Sequence, residues 1–197
     1  MIVQSDADFT KALSVLDASD SWTVDVETNG LDAFGKNQLC GIGIALDSTN
    51  ADVFYFPFRH QRGINLVPQQ LDLLIDMMSS RRELLGYNIK FDLRFLAREG
   101  LNLDKKELID VMVLVRMTAH TTVRELGLTK TIARLFSMED ASYDIETKKI
   151  LKENKWSKDY SQAPPDILGK YCELDAYWTL QIYKKCYKVI EESGQAV

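Results

Sequence analysis

Three β-rich runs stand close together near the start of the chain: 22–26 (WTVDV), 39–46 (LCGIGIAL) and 52–58 (DVFYFPF). Their connections are short, which predicts an antiparallel meander. The second and third runs are separated by the turn-rich DSTN at 47–50. A short amphipathic helix precedes them at 7–17, with Phe9, Leu13, Val15 and Leu16 as its apolar positions. The chain then changes character. Leu71, Leu74, Ile75 and Met78 recur at helical spacing over 67–79, with Pro68 in the first turn. A buried strand is expected at 83–87, a helix over 89–98 closed by Gly100, and a last short strand at 107–110. Helical patterns follow at 111–119, 123–136, about 144–154 and 165–192, the last opening after Pro164-Pro165. This succession predicts an α/β fold, a central mixed five-stranded sheet flanked by helices. No repeat or linker interrupts 1–197, which is read as a single domain.

The first run carries charge where it wants burial. Asp25 and Glu27 are i and i+2 in a strand and point to the same side. Two adjacent carboxylates repel unless a cation lies between them or one is protonated. Mg²⁺ or Mn²⁺ suits such an all-oxygen site. With 29 acids in 197 residues, an acidic-x-acidic triplet arises about four times by chance, so the triplet alone is weak. Its setting among Trp22, Val24 and Val26 strengthens it, because a buried carboxylate needs a partner.

Two further acids fall in similar settings. Asp92 sits within the apolar pattern of Phe91, Phe95 and Leu96. Taken by itself, it reads as a first-turn acid complementing the helix dipole. Tyr171 and Asp175 are i and i+4 in the last helix and share a face with Leu168, Ala176 and Leu180. By itself that pair reads as a tyrosine–aspartate hydrogen bond tying the helix to its neighbour. Together, four carboxylates come from a strand, a middle helix and the last helix. Two-metal phosphoryl-transfer chemistry uses such a set.

WTVDVETNGLD, LLGYNIKFDLRFLAREG and YCELDAYWTLQIY resemble, in order, the three motifs of the DEDD superfamily of 3′–5′ exonucleases. The histidine branch would need His where Lys170 stands, so the likeness is to the tyrosine branch, DEDDy, with Tyr171 four residues before Asp175. Within it, CGIGIAL followed by VFYFPFRH, and SQAPPDILGKYCELDAYWTLQIY, resemble the proofreading domain of family A, polymerase I-type DNA polymerases. The resemblance implies a ribonuclease H-like fold and a two-metal mechanism with Mg²⁺ or Mn²⁺. In it, Asp25 bridges both ions, Glu27 and Asp175 bind the first, Asp92 holds the second, and Tyr171 orients the attacking water. It places Thr28, Leu31, Asn88 and Phe91 against the terminal nucleotide, with core packing the alternative for Leu31 and Phe91. Asp110 is read as structural, since Val111 replaces the family's usual Thr.

The implied activity is hydrolysis of single-stranded or frayed DNA 3′ ends to nucleoside 5′-monophosphates, either alone beside a separate polymerase or as a domain of a longer chain. Met1 favours a natural start. The rivals are an exoribonuclease similar to ribonuclease D and a non-catalytic nucleic-acid-binding module. A net charge of −5 argues at first against a phosphate binder. Two divalent cations would bring the formal total to −1 and supply the strongest local positive charge. Lys148, Lys149, Lys152, Lys155 and Lys158 are read as a solvated helix face, with a substrate-phosphate track as the alternative. His60 and His120 are read as surface or loop histidines, His60 and Arg59 as candidate rim groups. Gly41-Ile42-Gly43 lacks the third glycine of a dinucleotide motif. Cys40, Cys172 and Cys186 have neither disulfide-framework nor metal-type spacing, which suits a reducing cytosol. No run approaches the ~18 apolar residues of a membrane span and no secretory signal is visible, so a cytoplasmic protein is expected.

Overall fold

The structure is a computed structural model that describes residues 1–48 and 52–194, so the turn expected at 47–50 lies partly outside the described residues. Five strands form one sheet: β1 (Ser21–Thr28), β2 (Leu39–Ala45), β3 (Val53–Pro57), β4 (Glu83–Gly86) and β5 (Glu107–Asp110). Their order is β3-β2-β1-β4-β5. β1, β2 and β3 pair antiparallel, whereas β4 runs parallel to β1 and β5 parallel to β4. The meander and the crossover half meet at β1. Helices α1 (Asp6–Leu16), α2 (Pro68–Ser80), α3 (Lys90–Arg98), α4 (Val111–Thr118), α5 (Leu128–Leu135), α6 (Ser142–Glu153) and α7 (Pro165–Glu192) flank it. No helix among the described residues is long and apolar enough to cross a membrane.

The pleat of β1 sorts its residues. Trp22, Val24 and Val26 enter a core with Phe9 and Leu16 of α1, Leu74 and Met78 of α2, and Phe95 of α3. The Trp22 indole N–H is satisfied there, donating to the carbonyls of Leu16 (3.2 Å) and Ser19 (3.0 Å). Asp25 and Glu27 point to the other side, where α7 crosses β1, β2 and β3. Glycines allow that approach. Gly43 pairs with Asp25 and Gly41 with Glu27. A Cβ on Gly43 would lie 2.7 Å from the Cys172 Sγ and 3.0 Å from the Cys172 carbonyl. Of the pair that fails as a dinucleotide motif, Gly43 therefore seats the helix, whereas Gly41 leaves room for the Tyr55 side chain.

Two expectations change. The helix predicted over 123–136 begins only at Leu128. Gly127 is its N-cap in extended conformation, and the preceding stretch is held by Arg116, which donates to the Val123 carbonyl at 2.8 Å. Leu126, ahead of the helix, packs against the second core, so its apolar character was real but not helical in origin. His60 is buried, not a surface or rim group. Its Nδ1 lies 2.7 Å from the Ala163 carbonyl, so Nδ1 carries the proton. Its Nε2 accepts from the Tyr55 hydroxyl at 2.7 Å. His60 thereby fixes the segment that leads into α7.

Candidate active site

Each acid reaches the site through a different local device. Asp25 and Glu27 arrive by the β1 pleat. Between Glu27 and Thr28 the register shifts, so the strand bends away after its second acid. The Thr28 hydroxyl then closes the turn by donating to the Gly30 carbonyl at 2.7 Å. Asp92 lies in the first turn of α3 and is buried. Its Oδ1 accepts the Val26 N–H at 3.0 Å, bonding the helix directly to the strand between the two acids. The dipole reading of Asp92 is thus incomplete: it is also a cross-element tie. Asp175 comes from the middle of α7, and its Oδ1 accepts from the Tyr143 hydroxyl at 2.5 Å.

The four carboxylates form one electrostatic unit. Burial, then Asp92, holds Asp25 well above the usual carboxylate range. Burial raises Glu27 as well, followed by Asp25, Asp175 and Asp92, with Lys148 opposing. Asp175 is raised by burial and Asp25 against the lowering bond from Tyr143. Asp92 is pushed up to about 8 by burial, although the bond from the Val26 N–H opposes it. Four acids that raise one another this way are a strained arrangement for an apo surface and a natural one around cations. Ligand atoms of Asp25, Glu27 and Cys172 all lie within 4.8 Å of one another.

Cys172 is a member that sequence reasoning missed. Its Sγ lies 3.2 Å from the Asp25 Oδ2, and burial and Asp25 raise its thiol strongly. Position 172 follows Tyr171 by one residue, and that adjacency to the third motif was the signal available. Tyr143 and Asp144 of α6 were also missed. The bond expected of Tyr171 and Asp175 is crossed between helices: the Tyr171 hydroxyl donates to the Asp144 Oδ1 at 2.9 Å, while Tyr143 reaches Asp175. Burial raises both phenols.

A cleft of about 570 Å³ opens beside Glu27, lined also by Thr28, Leu31, Phe91, Lys158 and Tyr160. Leu31 is 85% exposed, so core packing is ruled out for it. Phe91 is half-buried and does both, packing on the core while lining the cleft. Arg98 holds the loop beyond Leu31, donating to the carbonyls of Ala33, Gly35 and Asn37. Asn88 is not part of this lining. It occupies the left-handed turn before α3 (φ 57°), and its backbone N–H donates to the Asp110 Oδ1 at 3.0 Å. Asp110 also caps α4 through the Met112 N–H, which is a structural role. The basic stretch divides. Lys148 pairs with Asp144 at 2.7 Å, Lys149 lies 4.0 Å from Glu153, and Lys158 faces the cleft.

A family model described as 3′–5′ exonuclease matches residues 1–191. DNA polymerase I of Synechocystis sp. is 26% identical over 176 residues, covering 85% of this chain but 16% of the polymerase. Among solved structures, the EXO domain of Aedes aegypti Nibbler superposes with a TM-score of 0.66 at 19% identity, covering 97% of this chain and 88% of that one. Trypanosoma brucei RNase D gives 0.62 at 14% identity, covering 93% and 63%. Brucella melitensis NrnC with bound Mg²⁺ gives 0.57 at 14%, covering 90% and 77%. At such identities these neighbours establish the ribonuclease H-like fold.

Proposed function

The chain belongs to this 3′–5′ exonuclease family, and on that footing we propose that it removes nucleotides from single-stranded or frayed DNA 3′ ends as 5′-monophosphates. The observation that carries the reading is the convergence of the buried Glu27 and Asp92 and the half-buried Asp25 and Asp175 into one mutually repelling cluster beside an open cleft. The donor set fits two divalent cations, Mg²⁺ or Mn²⁺. Asp25 faces the other acids and would bridge both ions, Glu27 and Asp175 would hold the first, and Asp92 the second. When bound, such ions lower the pKa of the attacking water and stabilise charge on the phosphate and the leaving 3′ oxygen. The chain's own groups do the rest. Tyr171 orients the water. Thr28, Leu31 and Phe91 receive the terminal nucleotide, with Leu31 as an exposed apolar wedge. Asn88 shapes that floor through its turn, and Lys158 meets a substrate phosphate across the cleft.

DNA is favoured over RNA by the polymerase I relative, which aligns over most of the chain. An exoribonuclease is the second reading, favoured by the likeness to RNase D, one of whose structures is a complex with RNA U12. Because the chain spans only 16% of that polymerase, association with a polymerase, fused or separate, is part of the proposal, as is the action of 1–197 as one exonuclease domain. Its cysteines are free and buried, which suits a reducing compartment. Matched 5′-labelled DNA and RNA strands, incubated with Mg²⁺, Mn²⁺ or EDTA, test all of this. Stepwise shortening of DNA from its 3′ end, absent in EDTA and in Asp25→Ala, is expected. No cleavage of either strand by the unaltered protein with either metal would leave the binding-module rival standing.

A further inference from the structure

Asp144 has no part in the four-acid set, yet it is a buried carboxylate in contact with a residue of the site. Its Oδ1 accepts a hydrogen bond from the Tyr171 hydroxyl at 2.9 Å. The same carboxylate holds the Lys148 ammonium, at 2.7 Å through Oδ1 and 3.0 Å through Oδ2. Asp144 and Lys148 are i and i+4 on α6, and Tyr171 and Asp175 are i and i+4 on α7. Tyr143, beside Asp144, returns a bond to Asp175. The two helices are therefore latched by a crossed pair of tyrosine–aspartate bonds at the edge of the acid cluster.

Resting on the exonuclease reading above, we propose that Asp144, with Lys148 clamped against it, is a positioning residue that fixes the direction of the Tyr171 hydrogen bonds. A phenol has one proton and its oxygen accepts as well. With the proton committed to Asp144, the Tyr171 oxygen is left only as an acceptor. A water beside it must then donate to Tyr171, which turns a lone pair of that water outward, towards phosphorus. Without Asp144 the phenol is free to donate to the water and occupy that lone pair. Lys148 holds its ammonium against both Asp144 oxygens and so fixes that side chain beneath Tyr171. A charge-assisted bond of this kind also restrains the ring more tightly than a neutral one.

The test compares Asp144→Ala, Asp144→Leu, Asp144→Asn and Tyr171→Phe on a labelled single strand with Mg²⁺, each assayed below its own Tm. Asp144→Leu keeps the volume if the alanine leaves the helix pair loose. Asp144→Ala or Asp144→Leu is expected to lower kcat by about 10- to 100-fold with KM held within about twofold, since misorientation of a reacting group costs up to about that much. Asn retains an oxygen acceptor at Oδ1 and is expected to recover most of the loss. In a Tyr171→Phe background, removing Asp144 is expected to have no further effect on kcat, the mark of two residues acting through one atom. Additive losses in the double variant, or a rise in KM with kcat intact, would overturn the positioning role while leaving the exonuclease reading in place. An inactive parent protein would strike the reading itself.

Discussion

The two faces of β1 were made by the same pleat and obey opposite rules. Trp22, Val24 and Val26 are buried among apolar helices, and every atom there gains from leaving water. One residue over, Glu27 is buried and Asp25 half-buried against α7, where they repel each other and Asp92 and Asp175. The first face supplies stability and the second spends it on a charge arrangement that a cation or protonation relieves. Substitutions on the two faces should therefore separate stability from activity in opposite directions.

The largest effect expected is on the acid face. Asp25→Asn should lower the rate of strand shortening by about 10³-fold or more, as loss of several kcal/mol of charge stabilisation implies, in a gel assay with Mg²⁺. The same variant should melt at or above the parent Tm in EDTA, because it removes a raised, repelled carboxylate. A lower Tm would break the contrast between the faces. On the apolar face, Trp22→Ala should cost about 3–5 kcal/mol in urea unfolding, the scale for a buried large aromatic.

The pH response sharpens the same point. The folded-state pKa of Asp92, about 8, lies above its ordinary 3.8. Its contribution to stability is thus complete below pH about 4 and is lost as pH climbs through 8. In EDTA the Tm should fall over that window. Asp92→Asn should flatten the fall, and Mg²⁺ should reverse it. Smaller still, Leu31→Ala should change stability by no more than about 0.5 kcal/mol, because the side chain is exposed, while raising KM for the strand. Smallest is the salt response of strand binding. Lys158→Ala should reduce its slope by about 1, whereas Lys149→Ala, on a solvated face beside Glu153, should not.

The apolar face was the more legible one. A β-rich run located β1, and short connections fixed the meander, because both are local consequences of residue type and chain geometry. The acids were legible as a set only once three motifs fell in order. What stayed hidden was set by tertiary contact. Asp144 and Lys148 have the spacing of an ordinary surface ion pair, and nothing in 144–148 reports that Asp144 is buried against Tyr171 of α7. Tyr143 joins the site because α6 lies against α7. His60 sits in a polar stretch and is nevertheless buried, since Ala163 and Tyr55 close over it from distant segments. The helix at 123–136 misled because Val123 and Leu126 mimic a helical stripe ahead of an extended Gly127.

Gly43 brings no functional group to the reaction, yet it sets how near α7 can come to β1. Any side chain there would push Cys172 outward, and with it the helix that carries Tyr171 and Asp175. A mutational screen scored on cleavage would consequently rank this glycine among the acids. The map of intolerant positions should extend one strand beyond the chemistry, to a residue whose contribution is the space it leaves.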